Sequence, residues 1–161
     1  MATIVKAPEK YTKDKFSIFL AGAIDMGAAE DWQTQVTDAL KEFDITILNP
    51  RRDDWDSSWK QTKDDPQFSE QVNWEQDALE AADLILVVFT KDSKAPITFL
   101  ELGMHMKDDI MVCCPEGFYR KGNVDICCER NGVTVWDSFD GFIGDLVTLL
   151  RQEGRYDAVP E

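Results

Sequence analysis

Two carboxylates stand out by their surroundings. Glu101 lies in Thr98-Phe-Leu-Glu-Leu-Gly103, an apolar stretch that reads as helix. Glu75 follows Trp74 in a segment leading to Asp83 and to Leu84–Phe89, the most hydrophobic run of the chain. Flanking the same predicted strand, the two could face one pocket. A carboxylate pair is what glycosyl transfer requires, one member as nucleophile and the other handling the proton. The chain has 31 Asp and Glu, so solvated surface charge is the competing reading for each of them. A third cluster, Asn49-Pro-Arg-Arg-Asp-Asp-Trp55, sets two arginines beside two carboxylates and an aromatic ring. Arg51 and Arg52 suit a phosphate or a planar base, or else an ion-pair network with Asp53 and Asp54. Trp55 and Trp59 read as lids over a base or as anchors of their loop. His105, the single histidine, falls one helical turn after Glu101, where it orients the nucleophile or simply packs.

The elements that must position these residues follow from periodicity. Phe16–Leu20 reads as a buried strand running into Ala21-Gly22-Ala23-Ile24, small residues that allow close approach of a ligand. Trp32, Val36, Ala39, Leu40 and Phe43 recur at helical spacing over 31–43. Ile45–Leu48 is a second strand, stopped by Asn49-Pro50, and the polar stretch 51–70 reads as a long loop of the functional kind. A helix is expected over Glu70–Ala82, a strand over Leu84–Phe89 covered on both faces, and a helix over Ile97–His105. Strands at Ile110–Cys114 and Val133–Trp136 and a helix over Phe139–Glu153 complete the alternation. Residues 1–15 are polar and read as a loosely held arm, with the domain proper spanning 16–155. The expected fold is a single α/β domain with a mostly parallel sheet of about five strands. In such sheets ligands bind beyond the carboxyl ends of the strands. That places Ala21–Ile24, Asn49–Trp55, Phe89–Asp92 and Pro115–Arg120 along one rim.

Composition narrows the function classes. The 161 residues are 43% hydrophobic and 30% charged, ordinary for one globular domain. The formal net charge of −14 disfavours nucleic-acid polymers and anionic membranes, which need a clustered positive face. No apolar run approaches the roughly 20 residues of a membrane span, and the N-terminus carries no secretory h-region. The cysteines form two adjacent pairs, Cys113-Cys114 and Cys127-Cys128, which matches neither a metal pattern nor a disulfide framework. They read as small buried hydrophobes in a reducing compartment, hence the cytoplasm. With one histidine, no multi-histidine zinc site can be built, and neither metal nor cofactor is expected.

The ordered stretches SIFLAGAID (17–25), ILNPRRDDWD (47–56), QVNWEQDALEAADLILVVF (71–89), PITFLELG (96–103) and PEGFYRKGNVDICCERNGV (115–133) carry a resemblance. The chain resembles the nucleoside 2-deoxyribosyltransferase-like family, in the branch with an NPRRDDW motif. The resemblance implies a Rossmann-like or flavodoxin-like sandwich, usually a dimer or higher oligomer, that cleaves the N-glycosidic bond of nucleosides or nucleotides. It makes Glu101 the nucleophile and Glu75 the acidic partner. It gives Ala21, Gly22 and Ala23 to the sugar site. Asn49, Arg51, Asp54 and Trp55 join them as substrate-binding residues. Arg120 and Asn123 of the RKGNV segment are the residues a neighbouring subunit would insert.

The chain departs from the family's pattern at one place. An aspartate expected six positions before the nucleophile is replaced by Ala95, and Asp92, nine positions ahead, is the residue that could take its part. The implied activity is transfer of a (deoxy)ribosyl group between bases through a covalent glycosyl-glutamate, with Glu101 ionised in the free enzyme. Two alternatives stand beside it: a nucleoside or nucleotide N-glycoside hydrolase, and a module that binds a nucleotide without chemistry. A partner-binding α/β domain whose acidic surface meets a basic protein is a further possibility. The expected partners are a nucleoside or nucleotide, a free base and further copies of the chain.

Overall fold

A computed structural model describes residues 1–23 and 31–155. Six strands, all parallel, form one sheet. They are β1 (Thr3–Lys6), β2 (Phe16–Gly22), β3 (Ile45–Asn49), β4 (Leu84–Val88), β5 (Ile110–Cys113) and β6 (Val135–Trp136), in the spatial order β1-β3-β2-β4-β5-β6. The helices are α1 (Trp32–Leu40), α2 (Pro66–Ala81), α3 (Pro96–His105), α4 (Lys121–Arg130) and α5 (Phe139–Gln152). Side chains alternate across the sheet with the strand period of two. Ile85 and Val87 of β4 join Phe19, Ala21 and Leu48 under α2, α3 and α4. Leu84, Leu86 and Val88 join Ile18, Leu20 and Ile47 under α1 and α5. Both faces of β4 are therefore covered, which is why its sequence is apolar without interruption.

The sheet has six strands where about five were expected. The added strand is β1, in the stretch read as a loose arm. It pairs in register with β3, Thr3 opposite Thr46 and Lys6 opposite Asn49. Its edge position leaves Ile4 45% exposed, so the short segment shows no burial pattern to read. The chain after it is also held: Ala7 N–H donates to the Asn49 carbonyl at 3.1 Å, and Trp74 Nε1 donates to the Glu9 carbonyl at 2.8 Å.

Helix α2 starts four residues earlier than expected. Asp65 caps it, its carboxylate accepting from the Gln67 and Phe68 N–H groups, and Pro66 occupies the first turn. That is the arrangement a helix start favours, and the polar composition of 51–70 masked it. Helix α4 was not expected at all. It buries only Val124 and Cys128, too narrow a stripe to give a clear helical period.

The carboxyl end of β2 is set by one close approach. A Cβ at Gly22 would sit 2.6 Å from the Val88 carbonyl oxygen and run into the Trp32 indole. Trp32 is 1% exposed and donates from Nε1 to the Ala23 carbonyl at 3.2 Å. Glycine is therefore needed for packing here. Gly22→Ala should lower stability by about 1–3 kcal/mol, the usual cost of overpacking. Urea unfolding of the two proteins measures it, and an unchanged midpoint would show that the Trp32 contact has slack.

Candidate functional site

Because every strand runs the same way, all carboxyl ends lie on one edge, and α2 and α3 start there and descend across one face of the sheet. Both pack against β2. On α3 the buried polar and apolar positions are Thr98, Glu101, Leu102 and His105, at i, i+3, i+4 and i+7. The outer side carries Ile97, Leu100 and Met104, at 59%, 58% and 54% exposure. The helix thus turns a carboxylate inward and three large apolar side chains outward, the reverse of ordinary partition.

Glu101 is 7% exposed. Burial pushes its carboxyl up to about 8, and the negative charge of Glu75 adds to the rise. Glu75, half-buried on α2, is itself raised by burial, with a hydrogen bond from Gln71 acting in the opposite direction. Burial and the neighbouring Glu75 charge thus favour the protonated form of Glu101. The expectation that Glu101 is ionised in the free protein therefore needs correction. Its surroundings disfavour the anion until a ligand arrives or the pH rises.

The other expected residues divide. Ala21 and Ala23 lie on the sheet face covered by α2, α3 and α4, the face of the carboxylate pair. Ile24 and Asp25 of the first motif lie outside the described residues. Asn49 is buried, and its Oδ1 accepts the Arg51 N–H at 3.0 Å, so its side chain shapes the turn that opens the NPRRDDW loop. Arg51 reaches Asp31 at 3.2 Å, the residue that caps α1. Arg52 pairs with Asp54 at 2.6 Å and Glu70 at 3.1 Å and stacks over Trp59. Asp53 pairs with Lys6. The loop's charges are thus matched to one another and to the two helices, as the network reading held, with Asp31, Glu70 and Lys6 as partners the sequence did not suggest. Trp55 meets Trp59 edge to face, 4.9 Å between centroids.

Asp92 is exposed on the turn after β4. Ala95, at the departure from the family pattern, is 8% exposed with φ +50°, in the left-handed region. A non-glycine residue there stores about 1–2 kcal/mol. Arg120 and Asn123 are exposed, and with Phe99 and Tyr119 they line a shallow cleft of about 300 Å³. His105 is buried, its Nδ1 2.7 Å from Asp108 and its Nε2 without a hydrogen-bond partner among the described residues.

Two residues that the sequence reading passed over hold the site. Lys121 Nζ donates to the Cys114 carbonyl, to Asp125 and, at 2.6 Å, to Asp137, tying β5 to α4 and to the turn before α5. Gln71 Nε2 donates to the Pro50 carbonyl at 2.8 Å and to Glu75 Oε1 at 2.9 Å. Its spacing of four from Glu75 was the available signal. The cysteines behave as buried hydrophobes at three positions. Cys113 and Cys114 point to opposite faces of β5, and burial pushes the thiols of Cys113, Cys114 and Cys128 up to about 11, 12 and 11. Cys127, by contrast, is exposed on α4. Among the described residues no cluster of His, Cys, Asp or Glu could hold a metal ion, and no helix is long and apolar enough to cross a membrane.

The fold is a parallel α/β sandwich in which the helices carrying Glu75 and Glu101 pack against β2 on one face of the sheet. The chain belongs to the family described as nucleoside 2-deoxyribosyltransferase like, which it matches over residues 15–118. Its fold is similar to that of a conserved protein from Enterococcus faecalis V583, with a TM-score of 0.59 over 86% of this chain and 99% of that one, at 13% identity. Comparison with curated proteins returned no match.

The raised carboxyl has a thermodynamic consequence. Folded protein keeps a proton on Glu101 up to about pH 8, whereas the unfolded chain releases it near the ordinary value of 4.5. Between those values the folded state binds more protons, so this group makes stability fall as pH rises. Glu101→Gln removes the penalty. The variant should match the parent in Tm near pH 4.5 and exceed it increasingly up to pH 8.5, read by calorimetry across that range. A constant difference would mean that Glu101 titrates normally.

Proposed function

We propose that the protein cleaves the N-glycosidic bond of a (deoxy)nucleoside or nucleotide and passes the sugar to another base, with Glu101 as nucleophile. The observation that carries this reading is the buried Glu101 beside Glu75 in a chain of this family. In the first step an oxygen of Glu101 forms a bond to the anomeric carbon while the carbon–nitrogen bond breaks. Its electron pair goes to the base nitrogen, and the proton that Glu101 held goes to the base. The products are a glycosyl ester of Glu101 and a neutral base. In the second step the incoming base attacks the same carbon and Glu75 takes its proton, regenerating the carboxyl pair with net retention. Water in place of the base gives hydrolysis. Because the pair supplies the proton, the scheme runs without the aspartate missing at Ala95.

Ala21 and Ala23 are small residues on the sheet face that α2 and α3 cover, the side on which we place the sugar. Arg51 is the freer arginine of its loop, with a side chain 38% exposed, and is the better placed to meet a phosphate or a base. Asp54 and Trp55 would line the same entrance. We further propose a homo-oligomer in which Arg120 and Asn123 reach a neighbour's pocket. The exposed row Ile97, Leu100 and Met104 supports it, being a large apolar surface for one side of a helix. Free cysteines fit a reducing compartment such as the cytoplasm.

Glu101→Gln should preserve the fold and lower turnover by about a thousandfold or more. The assay is free base released from a panel of nucleosides and nucleotides, followed by chromatography. The parent, but not the variant, should trap a 2-fluoro-substituted sugar as a covalent adduct visible by intact mass. Normal turnover by the variant would exclude the mechanism. Free sugar formed without an acceptor base would assign hydrolysis in place of transfer.

A further inference from the structure

Gln71 is 5% exposed and sits one turn before Glu75 on α2. The Pro50 carbonyl can only accept a hydrogen bond, so the end of the amide that meets it at 2.8 Å must be the nitrogen. That nitrogen's second proton points to Glu75 Oε1 at 2.9 Å. Both donors are therefore committed, one to the backbone that opens the NPRRDDW loop and one to the carboxylate. The amide oxygen has no donor among the described residues and is shut off from solvent. A buried carbonyl left without a partner costs about 1–3 kcal/mol, which a methionine of similar shape would avoid. The amide is thus expensive for packing and fitted for holding an anion.

We propose that Gln71 is the positioning residue of the carboxyl pair: by clamping Glu75 to the Pro50 carbonyl it fixes that carboxylate's orientation and makes it the charged member, leaving the proton to Glu101. The role in turnover rests on the glycosidic reading above. An N–H donor stabilises the ionised form of its acceptor and has nothing to offer the neutral one beyond a weaker bond. Among the described residues Glu101 receives no such donor, and it lies deeper. Of the elements around the pair, β2, β3 and β4 contain no titratable side chain. The buried side of α3 carries Glu101 and, one turn on, His105, whose Nδ1 meets Asp108, and the two arginines of the loop are paired with Asp31, Asp54 and Glu70. Gln71 also couples the pair to the loop, because a shift of Pro50 moves the nitrogen that holds Glu75.

The experiment compares the full chain with Gln71→Met, following the Glu75 carboxyl carbon by ¹³C NMR across pH, with its signal assigned through Glu75→Gln. The Glu75 midpoint should rise by about one pH unit in Gln71→Met, as expected on losing one hydrogen bond to the anion. On any substrate the parent cleaves, kcat should fall about tenfold to a hundredfold with KM changed far less. Adding Gln71→Met to Glu75→Gln should cause no further loss. An unchanged Glu75 midpoint in folded Gln71→Met overturns the proposal. Should that variant fail to fold, the Gln71 side-chain amide protons of the parent decide it. Their shifts must follow the Glu75 titration, and shifts indifferent to it overturn the proposal. The titrations need no turnover, so a parent that cleaves no nucleoside removes the glycosidic reading and leaves the clamp to be judged on the NMR result.

Discussion

Two negative charges cannot share a water-poor pocket at little cost, and this constraint organises the site. Burial raises both Glu75 and Glu101, and the charge of Glu75 raises Glu101 further. The fold meets the constraint asymmetrically. Glu75 is less buried and accepts from the Gln71 amide, whereas the surroundings of Glu101 favour its protonated form. The parallel sheet supplies the rest: both helices that carry the two groups pack against β2.

The same helix that carries Glu101 inward has its apolar side chains outward, and the two facts belong together. A helix normally lowers its free energy by burying Leu and Ile and exposing Glu. Here α3 forgoes that gain twice. Both departures fall on one helix, with Glu101 inward and Ile97, Leu100 and Met104 outward. Ala95 adds strain at the start of this helix, next to the residues that would face the substrate.

Much of the fold was legible because the strands alternate so regularly: β2, β4 and β5 emerge from runs of apolar residues, and the Cys113-Cys114 pair splits between faces as a strand requires. The misses have local causes. β1 is short and lies at an edge, where burial cannot imprint a pattern. α4 buries two residues only, and α2 hides its start behind a polar cap. At the site, Glu101 and Glu75 were readable from motif and context. Gln71 was not, since a glutamine one turn from a glutamate is commonplace and only the fold brings Pro50 to it. The charge state of Glu101 was equally out of reach, because it depends on the depth of burial that neighbouring elements impose.

The strand order also bears on how the chain assembles. Among the described residues β1 pairs in the sheet with β3 alone, Thr3 opposite Thr46. The central strand β2 takes β3 on one side and, later in the chain, β4 on the other, Ile18 opposite Leu84. β1 therefore stays unpaired until more than forty residues have followed it. Long-range parallel pairing of this kind slows folding and exposes strand edges meanwhile. Lys6, within β1, puts a charge on that edge strand, a device that discourages pairing with another chain.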